Sequence, residues 1–150
     1  MKPSTERAAD PYVRRHLRVG WWALFGFTLL GLLLDTLHGF KIPWYLSVAT
    51  ETRRLMWTLA HAHGTLLGLV NLALAATSRR MEIRSPRFEA LASSALVAST
   101  ILIPSGFVLG GVFLHGGDPG MGALLVPAGA VLLLFALFVI ARRGARDEQK

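Results

Sequence analysis

The segment Leu55–Thr77, LMWTLAHAHGTLLGLVNLALAAT, limits what this chain can become more than any other part of it. It contains no Asp, Glu, Lys or Arg over the length a helix needs to cross a bilayer, roughly 20 residues. It nonetheless holds His61, His63 and Asn71. Hydrocarbon solvates imidazole and amide groups poorly, so a histidine at that depth needs a partner within the protein, and a functional role is the first reading.

Three further apolar runs give spans at about 19–38, 55–77, 88–114 and 123–141. With 53% hydrophobic and 17% charged residues among 150, these spans leave no room for a separate soluble domain. The expected fold is all-α, an integral membrane four-helix bundle over 19–141. A polar tail, 1–18, precedes it and turns helical near Tyr12, and a second polar tail, 142–150, follows it. The runs exceed strand length and lack two-residue alternation, which argues against a β-barrel. The first run follows Arg14, Arg15 and Arg18 as a signal peptide would. It is too long for one and ends without an A-x-A site, so it is read as a retained helix that also targets the protein.

A net charge of +7 raises nucleic acid as a partner, but the basic residues flank apolar spans and line no face of a folded domain, so no nucleic acid is expected. The absence of cysteine excludes disulfides, thiolate metal sites, Fe–S clusters and covalent haem attachment. Lys and Arg number five before the first span, three in the first loop, four in the second, none in the third and four in the last tail. Both tails share a side with the second loop, giving thirteen against three. The positive-inside rule then puts both termini in the cytoplasm, in a bacterial-type inner membrane.

On the first span, Trp21 and Trp22 suit the interface, and Thr28, Gly31, Asp35 and His38 follow at helical spacing on what reads as the bundle-facing side. Asp35 and His38 are close enough in sequence to touch. The stretch 39–54 reads as interfacial through Lys41, Pro43, Trp44 and Tyr45, with Thr50 as the cap of the second span and Glu51 in its first turn. On that span Trp57, His61, Gly64, Gly68, Asn71 and Ala75 share a face, within about 60° of Gly64. His63 points about 160° away from His61, so the two cannot hold one small ion from a regular helix. A basic loop, 78–87, leads to a third span that Pro104 should kink. The turn HGGDPGMG, 115–122, precedes an aliphatic fourth span with a wide lipid face. Gly64/Gly68 and Gly106/Gly110 are small-xxx-small pairs through which another membrane protein or a second copy could pack. The lipid bilayer is the remaining partner.

In that orientation His61 lies about 9 Å and His63 about 12 Å below Leu55. Asp35, His38, His115 and Asp118 also fall in the outer half, whereas His16 reads as part of the solvated tail. The plain alternative for each histidine is hydrogen bonding to backbone or water. As a group they suggest three functions. One is haem b between facing histidines, with His61, His63, His38 and His115 as candidate ligands. Phe25, Phe27, Trp57, Phe107 and Phe113 are available to frame the macrocycle. Another is a transition-metal site drawn from His61, His38, His115, Asp35 and Asp118. The third is proton-coupled transport, for which the inner half offers only Asn71, Ser93, Ser94 and Thr100. Outside these stands a non-catalytic structural or assembly subunit. Whether the chain is an enzyme stays open: HExxH, GxSxG and paired acids are missing, and the HGGDPG turn lacks a Walker lysine.

The segment 53–74, RRLMWTLAHAHGTLLGLVNLAL, resembles the second helix of small bacterial four-helix membrane proteins with an H-x-H followed by a Leu-Gly pair. It is also similar to a haem-ligating helix of the haem-copper oxidase catalytic subunit, where Arg and His precede a Gly-containing apolar run. That resemblance implies His61 or His63 as an axial ligand and Arg53 or Arg54 near a propionate. The oxidase subunit has many more spans, and this chain assembles no copper-site histidine set, so oxidase activity is not implied.

Overall fold

The computed structural model describes residues 11–78 and 86–147. Every long element among them is helical: α1 (Pro11–Gly39), the short α2 (Pro43–Leu46), α3 (Glu51–Ser78), α4 (Pro86–Val112) and α5 (Leu125–Asp147). Single 3-10 turns, Val48–Thr50 and Met121–Leu124, lead into α3 and α5. Four of the helices are long and apolar enough to cross a membrane, so the chain is an all-α, multi-pass membrane protein. Much of the expected basic loop, 78–87, lies outside the described residues.

Neighbours in the chain are neighbours in space: α1 packs on α3, α3 on α4, and α4 on α5, with only a small contact between α1 and α4. Each pair is antiparallel. One end of the bundle holds the start of α1 and α4 and the end of α3 and α5 (the termini end). The other holds α2 and the 115–118 turn (the turn end). Within their apolar windows 50% of α4 is buried but only 17% of α1 and 11% of α5, so α4 is central and the outer two are edges.

Lipid is as apolar as leucine, so close van der Waals contact and interhelical hydrogen bonds hold such helices together. Small residues supply the closeness. Gly68 lies against the Gly20 carbonyl and Leu24, and the Phe27 ring occupies the space beside Gly64. Gly106 receives Val126 and Gly110 receives Ala123. Both small-xxx-small pairs therefore pack helices of this same chain. Leu96 and Ala136 are fully buried where α4 meets α5, with Val70 and Leu74 of α3 against them. Pro104 is buried within α4, which stays helical through it.

Several boundaries differ from expectation. Helix α1 begins at Pro11, where the missing N–H is no loss in a first turn, and continues through the arginines to Gly39. Its last helical residue is Gly39, and the left-handed position that closes it falls two residues later. Lys41 takes the left-handed conformation (φ 51°), with Ile42 N–H donating to Leu37 O and Lys41 N–H to His38 O. Thr50 precedes α3 as expected, but its hydroxyl turns to the preceding turn: the Trp44, Tyr45 and Ser47 carbonyl oxygens all lie within reach of its one O–H, Ser47 O nearest at 2.8 Å.

Candidate functional site

The α1–α3 seam carries the deepest of the predicted site residues. His61 lays its ring over Gly31, so closely that a Cβ there would collide with it. Its Nδ1 is 2.6 Å from the Phe27 carbonyl oxygen, which can only accept. Nδ1 is therefore the N–H, and in the neutral ring the lone pair sits on Nε2. Among the described residues no protein group bonds that Nε2, and the ring is partly exposed. One turn further along α3, the Thr65 hydroxyl oxygen is buried without a hydrogen bond among the described residues.

His63 is wired alike but into its own helix. Its Nδ1 donates to Leu59 O at 2.8 Å, and its ring packs on Phe107 of α4, centroids 4.9 Å apart. The two histidines thus serve opposite seams, as their angular separation predicts.

The other candidates are not gathered around them. His38 and Asp35 are exposed, and His38 lies seven residues beyond Gly31, about 10 Å further along α1. The face of α1 that packs is centred between Gly31 and Leu34, which turns Thr28 and Asp35 to its edge. His115 and Asp118 pair through their backbones across Gly116 and Gly117, both with positive φ (60° and 94°), and their side chains are exposed. Thr52 Oγ1 donates to Gly117 O, which sets that turn nine residues above His61, about 14 Å along α3. Among the described residues no three His, Cys, Asp or Glu side chains converge to hold a metal ion. Of the aromatics expected to frame a macrocycle, Phe27, Phe107 and Trp57 pack inside the bundle, whereas Phe25 and Phe113 are 63% and 60% exposed.

The turn end also holds two arginines. Arg53 Nε donates to Gly111 O at 2.9 Å with its guanidinium over Trp57, and Arg54 donates to the Tyr45 and Ser47 carbonyls. Neither forms an ion pair with a carboxylate among the described residues. Burial pushes the Tyr45 phenol above its ordinary range, Arg54 pulling against that shift and Asp35 adding to it.

The polar group that the sequence reading misplaced is His16. It is no part of a solvated tail: it is 2% exposed, at the junction of α1, α3 and α4. Asn71 spends its amide N–H groups on Leu67 O (2.8 Å) and Thr100 Oγ1 (2.9 Å), which leaves Oδ1 to accept from His16 Nδ1 at 2.7 Å. Ser93 Oγ–H then donates to His16 Nε2 at 2.9 Å, and Thr100 Oγ1 donates to Leu96 O. Every member is satisfied, so His16 offers no free ligand atom. The signal for it was a buried spacing, Val13, His16, Gly20, Gly31, Leu34, that continues the packed face into the arginine-rich segment.

No protein-family model matches this chain, and no curated protein or solved structure gives a significant match.

Proposed function

We propose that this chain is a small haem-binding membrane protein in which His61 would hold the haem iron through Nε2. The observation that carries the reading is the Nδ1–H to Phe27 O bond. A backbone carbonyl on one ring nitrogen fixes the tautomer, raises basicity and aims the other nitrogen's lone pair, which is how ligating histidines are held. The donor set favours haem over a bare transition metal. A bare ion needs several protein donors converging, whereas a haem iron brings its own equatorial nitrogens and asks the protein for one or two axial ligands. Arg53 and Arg54, two turns above His61 and free of carboxylates among the described residues, suit the acidic edge of such a group. When bound, it would supply one-electron transfer.

The charge count, thirteen against three, supports cytoplasmic termini in an inner-type membrane, which puts His61 in the outer leaflet. Proton transport is less favoured. The His16 set and the His61 set are separated by the apolar contacts of Leu24 with Gly68 and Phe27 with Gly64. A non-catalytic subunit of a larger membrane complex is the second reading, and the open face of α1, with Trp21, Trp22 and Phe25 exposed, is what favours it.

The test is an ultraviolet–visible spectrum with elemental analysis of protein purified from its own membrane in mild detergent. A Soret band that shifts on reduction, and is lost in His61→Leu while the fold persists, is the expected result. A well-folded, colourless and metal-free preparation would sink the cofactor reading and leave the subunit reading.

A further inference from the structure

The seam between α1 and α3 is close-packed through glycines. Gly20, Gly31, Gly64 and Gly68 bring the helices together, with Leu72 seated on Gly20, the His61 ring on Gly31 and the Phe27 ring on Gly64, and van der Waals contact holds that fit. Among the described residues, two side-chain hydrogen bonds cross it: His16 Nδ1 to Asn71 Oδ1 and His61 Nδ1 to Phe27 O. On α1 the two attachment points are eleven residues apart and on α3 ten, so they are separated by about 16.5 Å along one helix and about 15 Å along the other. The similar separations mean that one axial register satisfies both. A slide of α1 by one turn, about 5.4 Å, would break both bonds.

We infer that His16 is a positioning residue for His61: its bridge to Asn71 fixes the register of α1, which places the Phe27 carbonyl where it holds His61 in the Nδ1–H form. The two bridges are unequal. The His16 bridge is buried and braced on a third helix through Ser93 and Thr100. The His61 bridge is part-buried and rests on one carbonyl. The inner clasp therefore leads and the outer one follows. Without the clasp, only the fit of Leu72, His61 and Phe27 against the glycines sets the register, Phe27 O is held less closely on His61, and the ring redistributes between its two neutral tautomers. The inference deepens the haem reading by naming what sets the ligating lone pair, and it rests on that reading only for what the lone pair is for.

The test reads the tautomer directly and needs no cofactor. Nitrogen-15 NMR of histidine-labelled, cofactor-free protein, in the full chain in detergent, resolves protonated from unprotonated ring nitrogens. The His61 signals are assigned by their loss in His61→Leu. Wild type is expected to show His61 protonated at Nδ1 alone. In His16→Leu, with helical content by circular dichroism unchanged, the Nδ1–H population should fall and Nε2–H should appear. Ser93→Ala, which leaves the bond to Asn71 in place, and His16→Gln, whose amide can still donate to Asn71, should both keep the wild-type His61 pattern. A folded His16→Leu protein with that same pattern overturns the inference. Should His16→Leu fail to insert, the double variant H16L/N71L removes both partners of the bridge, so that Asn71 Oδ1 is not left buried without its donor. It carries the same two outcomes. Loss of a haem spectrum in wild type would defeat the proposed function and leave these signals untouched, so the two failures are told apart.

Discussion

Gly31 lacks a Cβ where the His61 ring lies, with Cε1, Nδ1 and Nε2 all within 3.0 Å of the place one would take. Gly31→Ala should therefore push the ring off the Phe27 carbonyl and cost about 1–3 kcal/mol, as overpacking does. Thermal unfolding in detergent checks the cost, and the His61 nitrogen signals check the displacement. His63 makes the opposite case. Its hydrogen bond stays within α3 and its ring merely packs on Phe107, so His63→Phe should cost less than about 1 kcal/mol and leave the helices in place. If that variant loses a bound cofactor, the ligand is His63 and the assignment to His61 is wrong. That His61 needs a partner within the protein was legible in the sequence, because hydrocarbon solvates imidazole poorly, and the Phe27 carbonyl is that partner. His16 was not legible, because Arg14, Arg15 and Arg18 around it give the segment the composition of a tail. On a helix those arginines lie away from the line through Val13, His16 and Gly20, and a polar face says nothing about a buried one.

Elements were read more securely than their ends. Length and hydropathy dictate four spanning helices, since an apolar run in lipid must satisfy its own backbone. Where each helix stops depends on cap geometry, which composition does not show. Gly39 looks like the terminator of α1, yet it remains helical, and Lys41 takes the left-handed position at which the Ile42 N–H reaches back to Leu37 O. That conformation costs an L-residue about 1 kcal/mol or more relative to glycine. Lys41→Gly is thus expected to stabilise the protein by about 1 kcal/mol, less whatever the lysine gains by snorkelling. Equilibrium unfolding in detergent measures it, and a destabilised variant would mean that the headgroup contact outweighs the strain. The same limit applies to the candidate site. Spacing puts Asp35 and His38 on one face of α1 and depth joins them to His115 and Asp118, but neither tells which face packs. The packed face of α1 passes beside Asp35, and the tight turn through Gly116 and Gly117 holds His115 and Asp118 at the surface, away from the seam.

At the scale of the molecule, the helices form a succession, α1, α3, α4, α5, with two open edges and two chemically different ends. The termini end carries the clustered arginines. The turn end carries Lys41, Arg53 and Arg54, and the latter two are already bonded to carbonyls. Short loops are where the positive-inside bias acts, so this asymmetry decides which way the chain faces and hence which leaflet holds His61. The chain has no cysteine, which makes single introduced thiols unambiguous reporters. Val48, 85% exposed, and Asp118, also exposed, mark the turn end, and Arg142 marks the termini end. In intact cells a membrane-impermeant maleimide should label Val48→Cys and Asp118→Cys, and should reach Arg142→Cys only after permeabilisation. The reverse pattern would turn the molecule over and move His61, with any group it binds, to the cytoplasmic leaflet. Labelling of all three from one side would break the four-span reading itself, because an even number of crossings separates Val48 from Asp118 and an odd number separates Asp118 from Arg142.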